Sequence, residues 1–431
     1  MTQGQNSDIE NSFCEKWPVP EKFKNQKLKS NPARRLCRTL ILLFAFLFFI
    51  RHTCGGLIFA TMSLEELRKR IDDIDQRLVE LLNERARIVI EIGKLKNKID
   101  KPVYAPDREK EILSKIVKAN KGPLPDRCLV AIWRELMSGS FVLEKPLRIG
   151  YLGPEGSFSH TAAMLKFGQS VEYEPLADIK SIFDEVSKGH CDLGVVPIEN
   201  TTGGSVTETF DAFIDLDVKG VDSDVKVIDS PVKVCAEVQM AIHHNLLANC
   251  SLKEVKKIYS KPEVFTQCRN WLSATVEQVQ TVAVASTATA AQMAAREPYT
   301  AAIGSSAAAE LYGLKSICEN IEDISNNITR FLVISREDAK PTGEDKTAIL
   351  FSTAHKAGAL ADVLEVFKRH NINLTNIESR PSRKRQWEYY FFVDFLGHRT
   401  EKHVQAGLKE ACEHCLHLSV LGSFPRATDL L

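Results

Sequence analysis

The feature that most constrains this chain is the spacing of apolar residues between positions 63 and 99. Leu64, Leu67, Ile71, Ile74, Leu78, Leu81, Ile88, Ile92, Leu95 and Ile99 recur at steps of three and four, with no proline and one glycine, Gly93. That is a sustained heptad-like seam, and it predicts one long helix. Ser63 and Glu66 supply a capping box at its start. At 1.5 Å per residue the helix is roughly 50 Å long. A lone helix of that length cannot bury its seam within a short segment. It must pack against the two shorter helical patterns that follow, 107–119 and 126–143, and against a second chain. The first module is therefore expected to be all-α and an obligate dimer.

The seam has one gap. Between Leu81 and Ile88 the expected apolar position holds Arg85. A guanidinium in a helical core is costly unless an anion meets it. Two accounts stay open on spacing alone: an ion pair with a local Glu80 or Glu84, or a site for a small dianion built with Arg68, Lys96, Arg108 and Glu109.

A different pattern begins at Leu147. Apolar strands at 147–152, 192–196, 232–242, 257–259, 281–285, 301–303 and 329–335 alternate with helical stretches at 179–188, 262–272 and 286–295. This reads as an α/β region of mostly parallel strands, long enough for two lobes with a cleft between them. Three polar, small-residue loops lie at strand ends: 151–159 (Tyr-Leu-Gly-Pro-Glu-Gly-Ser-Phe-Ser), 197–205 (Pro-Ile-Glu-Asn-Thr-Thr-Gly-Gly-Ser) and 326–331 (Asn-Asn-Ile-Thr-Arg-Phe). Together they suggest one cleft with an anionic ligand. After a polar linker at 337–345 comes a βαββαβ order, the ferredoxin-like arrangement.

Composition narrows the classes. A length of 431 residues suggests two to four domains. Lys plus Arg and Asp plus Glu each number 56, which argues against a nucleic-acid coat or a polybasic membrane binder. The eleven cysteines follow no framework, and a reducing, cytoplasmic compartment is expected. Cys412, Cys415 and His417 form half of a metal pattern without a second half, so no metal and no organic cofactor is expected. Residues 1–61 stand apart. A basic run from Lys22 to Arg38 precedes an apolar block from Leu40 to Ile50, the order of an export signal, but too short to span a bilayer and without a clean cleavage site. The expected natural start is Met62; a targeting or anchoring segment is the alternative, and only then would a membrane be a partner.

The residues also carry resemblances. Residues 62–145 resemble the all-helical type of chorismate mutase, whose pattern is matched by Arg68, Arg85, Lys96, Arg108-Glu109, Ser140 and Glu144. The resemblance implies that Arg68 of a partner chain and Arg85 hold the two carboxylates of chorismate, that Lys96 donates to the ether oxygen as the C–O bond breaks, and that Glu109 orients the ring hydroxyl. The rearrangement is pericyclic, so the protein supplies positioning and charge. Many relatives carry Asp where this chain has Ala105. At Glu144 a carboxylate can donate only when protonated, so mutase activity is expected to fall as pH rises and Glu144→Gln to relieve the fall.

Residues 147–336 look like prephenate dehydratase, a two-lobed fold similar to periplasmic binding proteins. Its Thr-Arg-Phe motif falls on Thr329, Arg330 and Phe331, its Glu-Asn loop on Glu199, Asn200, Thr201 and Ser205, and its Ser-Thr pair on Ser286 and Thr287. Thr329 is implied as the catalytic donor to the departing ring hydroxyl. Where many relatives read Ser-His-Pro-Gln this chain has Ser260-Lys261-Pro262-Glu263, and Glu263 is kept as a substrate contact that needs a partner such as Lys261. Residues 346–425 resemble an ACT domain, with Gly358, Ala359, Leu360 and Glu378, Ser379, Arg380, Pro381 matching its phenylalanine-binding signatures. The order of the three modules is that of bifunctional chorismate mutase–prephenate dehydratases under feedback by phenylalanine, with chorismate, prephenate and phenylalanine as ligands and a homodimer or higher homo-oligomer as the assembly. The competing assignment is a phenylalanine-responsive binding or regulatory protein with decayed dehydratase activity.

Overall fold

The structure, a computed structural model, describes residues 63–99, 101–219, 227–276, 278–382, 388–427 and 430. The expectations for residues 1–61 and for a start at Met62 lie outside the described residues. The chain divides into two compact units, Met1–Leu82 and Asn83–Leu431.

In the first unit helix α1 (Leu64–Lys98) begins. Ser63 N–H donates to Glu66 Oε2 at 2.7 Å and Glu66 N–H to Ser63 Oγ at 3.1 Å, the capping box expected from sequence. The seam residues Leu64, Ile71, Ile74, Leu78 and Leu81 are exposed along it.

The second unit holds the end of α1 and three further layers. Helices α2 (Pro106–Ala119) and α3 (Asp126–Glu144) complete the helical module. Gly93 decides how closely α3 approaches α1, because a Cβ there would stand 2.9 Å from the Glu144 Cα. On the far side α3 docks on the α/β region: Glu135 accepts from Gln169 N–H at 2.8 Å, and Ser138 Oγ accepts from Ser170 N–H at 3.1 Å.

The α/β region forms two lobes. Lobe one contains β1 (Arg148–Leu152), α4 (Phe158–Phe167), β2 (Glu172–Leu176), α5 (Ile179–Lys188), β3 (Leu193–Asn200), β4 (Gly204–Ser205), α6 (Thr207–Lys219), β6 (Lys233–Ala241) and β12 (Ile328–Ser335); β5 (Val227–Asp229) leaves it for another sheet. The strand order is β2-β1-β3-β12-β6. Lobe two contains β7 (Asn245–Ala248), β8 (Lys257–Ser260), α7 (Pro262–Gln267), α8 (Arg269–Thr275), β9 (Gln280–Ala283), α9 (Thr287–Arg296), β10 (Thr300–Gly304), α10 (Ser306–Tyr312) and β11 (Lys315–Cys318), in the order β11-β7-β10-β8-β9. The expectation of mostly parallel strands needs correction. β12 runs antiparallel to β3 and β6, and β7 antiparallel to β10 and β11. Most positions of β3, β6, β10 and β12 are buried, so their apolar runs carry no sign of direction.

The chain crosses between lobes twice, and the crossovers are bonded to each other. Ile242 N–H donates to Asn327 O and Ile321 N–H to His244 O, each at 2.8 Å. This is the hinge of a two-lobed fold.

The last module is β13 (Asp345–Ser352), α11 (Ala359–Arg369), β14 (Leu374–Pro381), β15 (Tyr389–Leu396), α12 (Lys402–Glu413) and β16 (His417–Pro425), the expected βαββαβ order. Its sheet runs β14-β15-β13-β16-β5, so lobe one lends it an edge strand. Period-two alternation splits its faces. Ile349, Phe351 and Val393 pack under the module's own helices. Ala348, Leu350, Phe392 and Phe424 form one core with Ile182, Phe213, Leu332 and Ile334 of lobe one. Gly422 sits where the two sheets touch; a Cβ there would strike the Val234 backbone.

Candidate active sites

Two pairs join α1 and α3. Arg85 Nη1 donates to Ser140 Oγ at 2.6 Å, and Lys96 Nζ to Glu144 Oε2 at 2.8 Å and to Val103 O at 3.1 Å. At the seam's gap Arg85 meets Ser140 of α3, which is buried, and among the described residues it makes no ion pair with Glu80 or Glu84. Gly93 is one helical turn before Lys96, and its missing side chain is what lets Glu144 come within reach.

Arg108 and Glu109 are placed differently from expectation. Arg108 pairs with Glu111 at 2.6 Å on an exposed face. Glu109 is buried, accepts from Tyr104 OH at 2.8 Å and pairs with Lys166 of α4 at 2.9 Å. Burial, then the neighbouring Glu109 carboxylate, pushes the Tyr104 phenol well above the ordinary tyrosine range, so it remains a donor. Ala105 leaves the start of α2 without a side-chain cap. Arg68 is exposed on α1 in the first unit.

The second site lies at the hinge. Thr329, at the start of β12, faces Asn200 across the β3–β12 register. The β3 strand carries an irregularity where Arg330 pairs with Glu199 but Phe331 with Pro197. Pro197 has no N–H to give the ladder, and the bulge at Ile198 resets the register so that Thr329 and Asn200 become direct partners.

Asn200 Oδ1 accepts from Thr202 N–H at 3.0 Å, Thr202 Oγ1 at 2.7 Å and Gly203 N–H at 2.7 Å, which fixes the orientation of its amide. Its Nδ2 then donates to Thr329 Oγ1 at 2.8 Å and to Asn327 Oδ1 at 2.7 Å. Behind it the donors line up in one direction. His244 Nε2 bonds Gln267 Oε1 at 2.8 Å, and Gln267 Nε2 donates to Thr202 Oγ1 at 2.6 Å, crossing from lobe two to lobe one. Since Gln267 Oε1 can only accept, His244 carries its proton on Nε2. Burial lowers the His244 pKa, so the neutral ring is favoured. The chain delivers a hydrogen bond onto the lone pair of Thr329 Oγ1, leaving the hydroxyl proton of Thr329 to point elsewhere.

The other expected residues divide. Glu199 is exposed and paired in register with Ser205. Thr201 Oγ1 donates to Asn326 O at 3.1 Å and stitches the loop to the second crossover. Ser286 is spent as the cap of α9, accepting from Thr289 N–H at 2.9 Å, and Thr287 is buried behind it. Glu263 is exposed, with Lys261 3.9 Å away. Arg330 and Phe331 do not join Thr329 as ligands of a cleft. Phe331 is buried in the lobe-one core, and Arg330 turns to the opposite face of β12, where Glu237 and Asp394 hold it. Sequence reading missed Thr202, His244, Gln267 and Tyr104. Only Thr202 and the Asn327 partner lay in loops already singled out; His244 and Gln267 become visible through the hinge.

In the last module Gly358, Ala359 and Leu360 line a cavity of about 450 Å³ with Tyr389 and Phe391. Gly358 takes φ 83° at the start of α11, a left-handed conformation natural to glycine. Glu378 is half-buried and Ser379 and Pro381 exposed on the edge strand β14. Arg380 instead pairs with Asp211 of α6 at 3.1 Å. Among the described residues no group of three or more His, Cys, Asp or Glu is placed to hold a metal, and no helix is long and apolar enough to cross a membrane.

A helical module with cation pairs, a two-lobed α/β domain hinged at a threonine, and a ferredoxin-like module define a multidomain enzyme joined to a small-molecule sensor. Family models agree in order: chorismate mutase type II over 67–145, prephenate dehydratase over 149–339 and ACT domain over 347–413. The chain is 44% identical over 370 residues to the bifunctional chorismate mutase/prephenate dehydratase of Aquifex aeolicus, covering 85% of this chain and 98% of that one. It is 42% identical over 372 residues to that of Stutzerimonas stutzeri, with the same coverage. A solved prephenate dehydratase from Arthrobacter aurescens in complex with L-Phe matches with a TM-score of 0.58 at 30% identity, covering 65% of this chain and 90% of that one. The chain belongs to the bifunctional chorismate mutase/prephenate dehydratase family and carries both enzyme domains followed by an ACT domain.

Proposed function

We propose that this chain rearranges chorismate to prephenate in module 62–145, converts prephenate to phenylpyruvate, CO2 and water in module 147–336, and is feedback-inhibited by phenylalanine bound to module 346–425. The observation that carries this is the directed hydrogen-bond chain ending on Thr329. In the dehydratase step the ring carboxylate leaves as CO2, its bonding pair enters the ring, and the ring C–O bond breaks. The departing oxygen takes the Thr329 proton and leaves as water. Charge left on Thr329 Oγ1 is met by Asn200 Nδ2, and the hydroxyl is reprotonated from solvent. Aromatisation drives the step, so a positioned hydroxyl suffices as donor.

In the mutase, Arg85 and Lys96 are the cations that meet the substrate, with Ser140 and Glu144 holding them in place between substrates. Arg68 completes the site from a second copy, since the exposed seam of α1 is an apolar stripe of the kind that marks an interface. The active form is a homodimer or higher homo-oligomer, and the cysteine usage supports a cytoplasmic protein. The cavity beside Gly358 takes the effector, and Glu378 lies on the neighbouring edge strand.

The test is the chain from Met62 incubated with chorismate and followed for phenylpyruvate with and without phenylalanine. Phenylpyruvate formed and suppressed by phenylalanine is the expected result. Prephenate accumulating with phenylalanine still bound would instead mean a sensor with a decayed dehydratase.

A further inference from the structure

Thr329 has a neighbour with no role in the chemistry above. Arg330 points to the opposite face of β12, into the junction between lobe one and the ACT module. Its Nε donates to Glu237 Oε2 at 2.8 Å and its Nη1 lies 2.6 Å from Asp394 Oδ2. Lys346 Nζ donates to the same Glu237 oxygen at 3.1 Å, and Ala427 N–H to Glu237 Oε1 at 2.9 Å. The four side chains are 0–9% exposed. Arg330 and Glu237 come from lobe one, Lys346 and Asp394 from the ACT sheet.

Buried charges of this kind are held by mutual geometry, because separating one partner leaves an uncompensated charge in the core. The ACT sheet therefore cannot shift against lobe one without carrying Arg330, and Arg330 adjoins Thr329 in the same strand. The cluster has a tight end and a loose one. Glu237 is saturated by three donors. Asp394 is not: among the described residues Arg330 Nη1, at 2.6 Å, is the one cation paired with its carboxylate. Asp394 also sits on the strand that reaches the effector cavity. β15 carries Tyr389 and Phe391 in the cavity wall and Asp394 three residues beyond Phe391. Cavity, β15, Asp394, Arg330 and Thr329 are thus physically continuous.

We propose that the Arg330–Asp394 contact is the joint through which an amino acid bound in the ACT cavity acts on the dehydratase. Arg330 is a positioning residue for Thr329, not a ligand of the substrate, and Asp394 is the ACT module's grip on it. This rests on the feedback reading above.

The experiment uses the full chain and Asp394→Asn, which removes the charge at nearly constant volume. Dehydratase rate on prephenate, mutase rate on chorismate and phenylalanine binding by calorimetry are measured for both. In the wild type phenylalanine lowers the dehydratase rate by about tenfold or more; in D394N inhibition shrinks to under about twofold while phenylalanine still binds and mutase activity is retained. Full inhibition of D394N at the same phenylalanine concentration overturns the joint, and so does loss of phenylalanine binding, which would place Asp394 in the cavity's own architecture. A wild type that binds phenylalanine without inhibition overturns the feedback reading itself. Should D394N not fold, Arg330→Lys keeps the charge and loses the second arm; its ratio of inhibited to uninhibited rate is expected to approach one, and a wild-type ratio overturns the joint.

Discussion

At the scale of single residues, the chemistry is set by who donates to whom. Thr329 matters because Asn200 occupies its lone pair, and Asn200 is oriented by Thr202 and, through it, Gln267. Gln267→Glu keeps the shape and reverses one link: a carboxylate cannot donate to Thr202, and instead draws the Thr202 proton away from Asn200. The dehydratase kcat of Q267E is expected to fall about tenfold to hundredfold with a smaller change in KM. An unchanged kcat would show that the direction of the chain is immaterial. Glu144 poses the converse question. It now accepts from Lys96, so a charged carboxylate stands beside the cation meant for the ether oxygen. Glu144→Gln removes that charge but keeps an oxygen able to accept from Lys96 and adds a donor, and the mutase rate on chorismate is expected to be kept or raised. A rate lost about tenfold or more would show that the charge itself holds Lys96 in place. The residue types at both positions were legible in the sequence; their partners were not, because partners 48 and 127–129 residues apart in the chain meet only through packing.

At the scale of elements, two places decide whether the sites assemble. Gly93 is the contact point of α1 and α3. Gly93→Ala puts a methyl 2.9 Å from the Glu144 Cα, forcing the helices apart, at an overpacking cost of about 1–3 kcal/mol. Mutase activity and melting temperature are both expected to drop while the dehydratase rate on prephenate is kept; wild-type mutase activity would refute the close approach. The hinge is the other place. Burial holds the His244 pKa below the ordinary 6.5, against the opposing pull of the Gln267 hydrogen bond and Glu322, and with His243 adding to the depression. A depressed histidine binds fewer protons folded than unfolded, so its contribution is intact above about pH 6.5 and is lost as pH falls below it. Thermal unfolding followed from about pH 7 to 5 should show a loss of stability that is smaller in His244→Asn; equal slopes would assign the acid sensitivity elsewhere.

Length alone did not decide which elements were readable: the short strands β8, β9 and β10 were read, while the 13-residue α6 was missed. The helices α1 to α3 and the βαββαβ order follow from apolar spacing. β2 escaped because Glu172 and Pro175 are exposed and Tyr173 and Glu174 half-buried on an edge, with no apolar run, and α10, β7 and β11 escaped because their patterns are brief.

At the scale of the whole molecule, the exposed seam is the main unpaid debt of the structure. Ile71, Ile74 and Leu78 are 57%, 51% and 49% exposed on one helix, more apolar surface than a stable helix leaves to water. A second copy of the seam is the expected cover. Replacing Ile74 and Leu78 by Glu is predicted to yield a smaller species in sedimentation, with mutase activity lost and dehydratase activity on prephenate kept. An unchanged mass would mean that the oligomer, if any, is built elsewhere.

By itself the sequence determined the three modules and their order, the long helix, the capping box at Ser63, the glycine at the start of α11, and which residue types could do the chemistry. Those are local matters, fixed by spacing, caps and backbone freedom within a few residues. Only the tertiary structure decided where side chains point. Thr329 and Arg330 are adjacent in one motif, yet a strand turns successive residues to opposite faces. One therefore meets Asn200 at the hinge, while the other is buried among Glu237, Lys346 and Asp394, against the interior strands of the sensor's sheet.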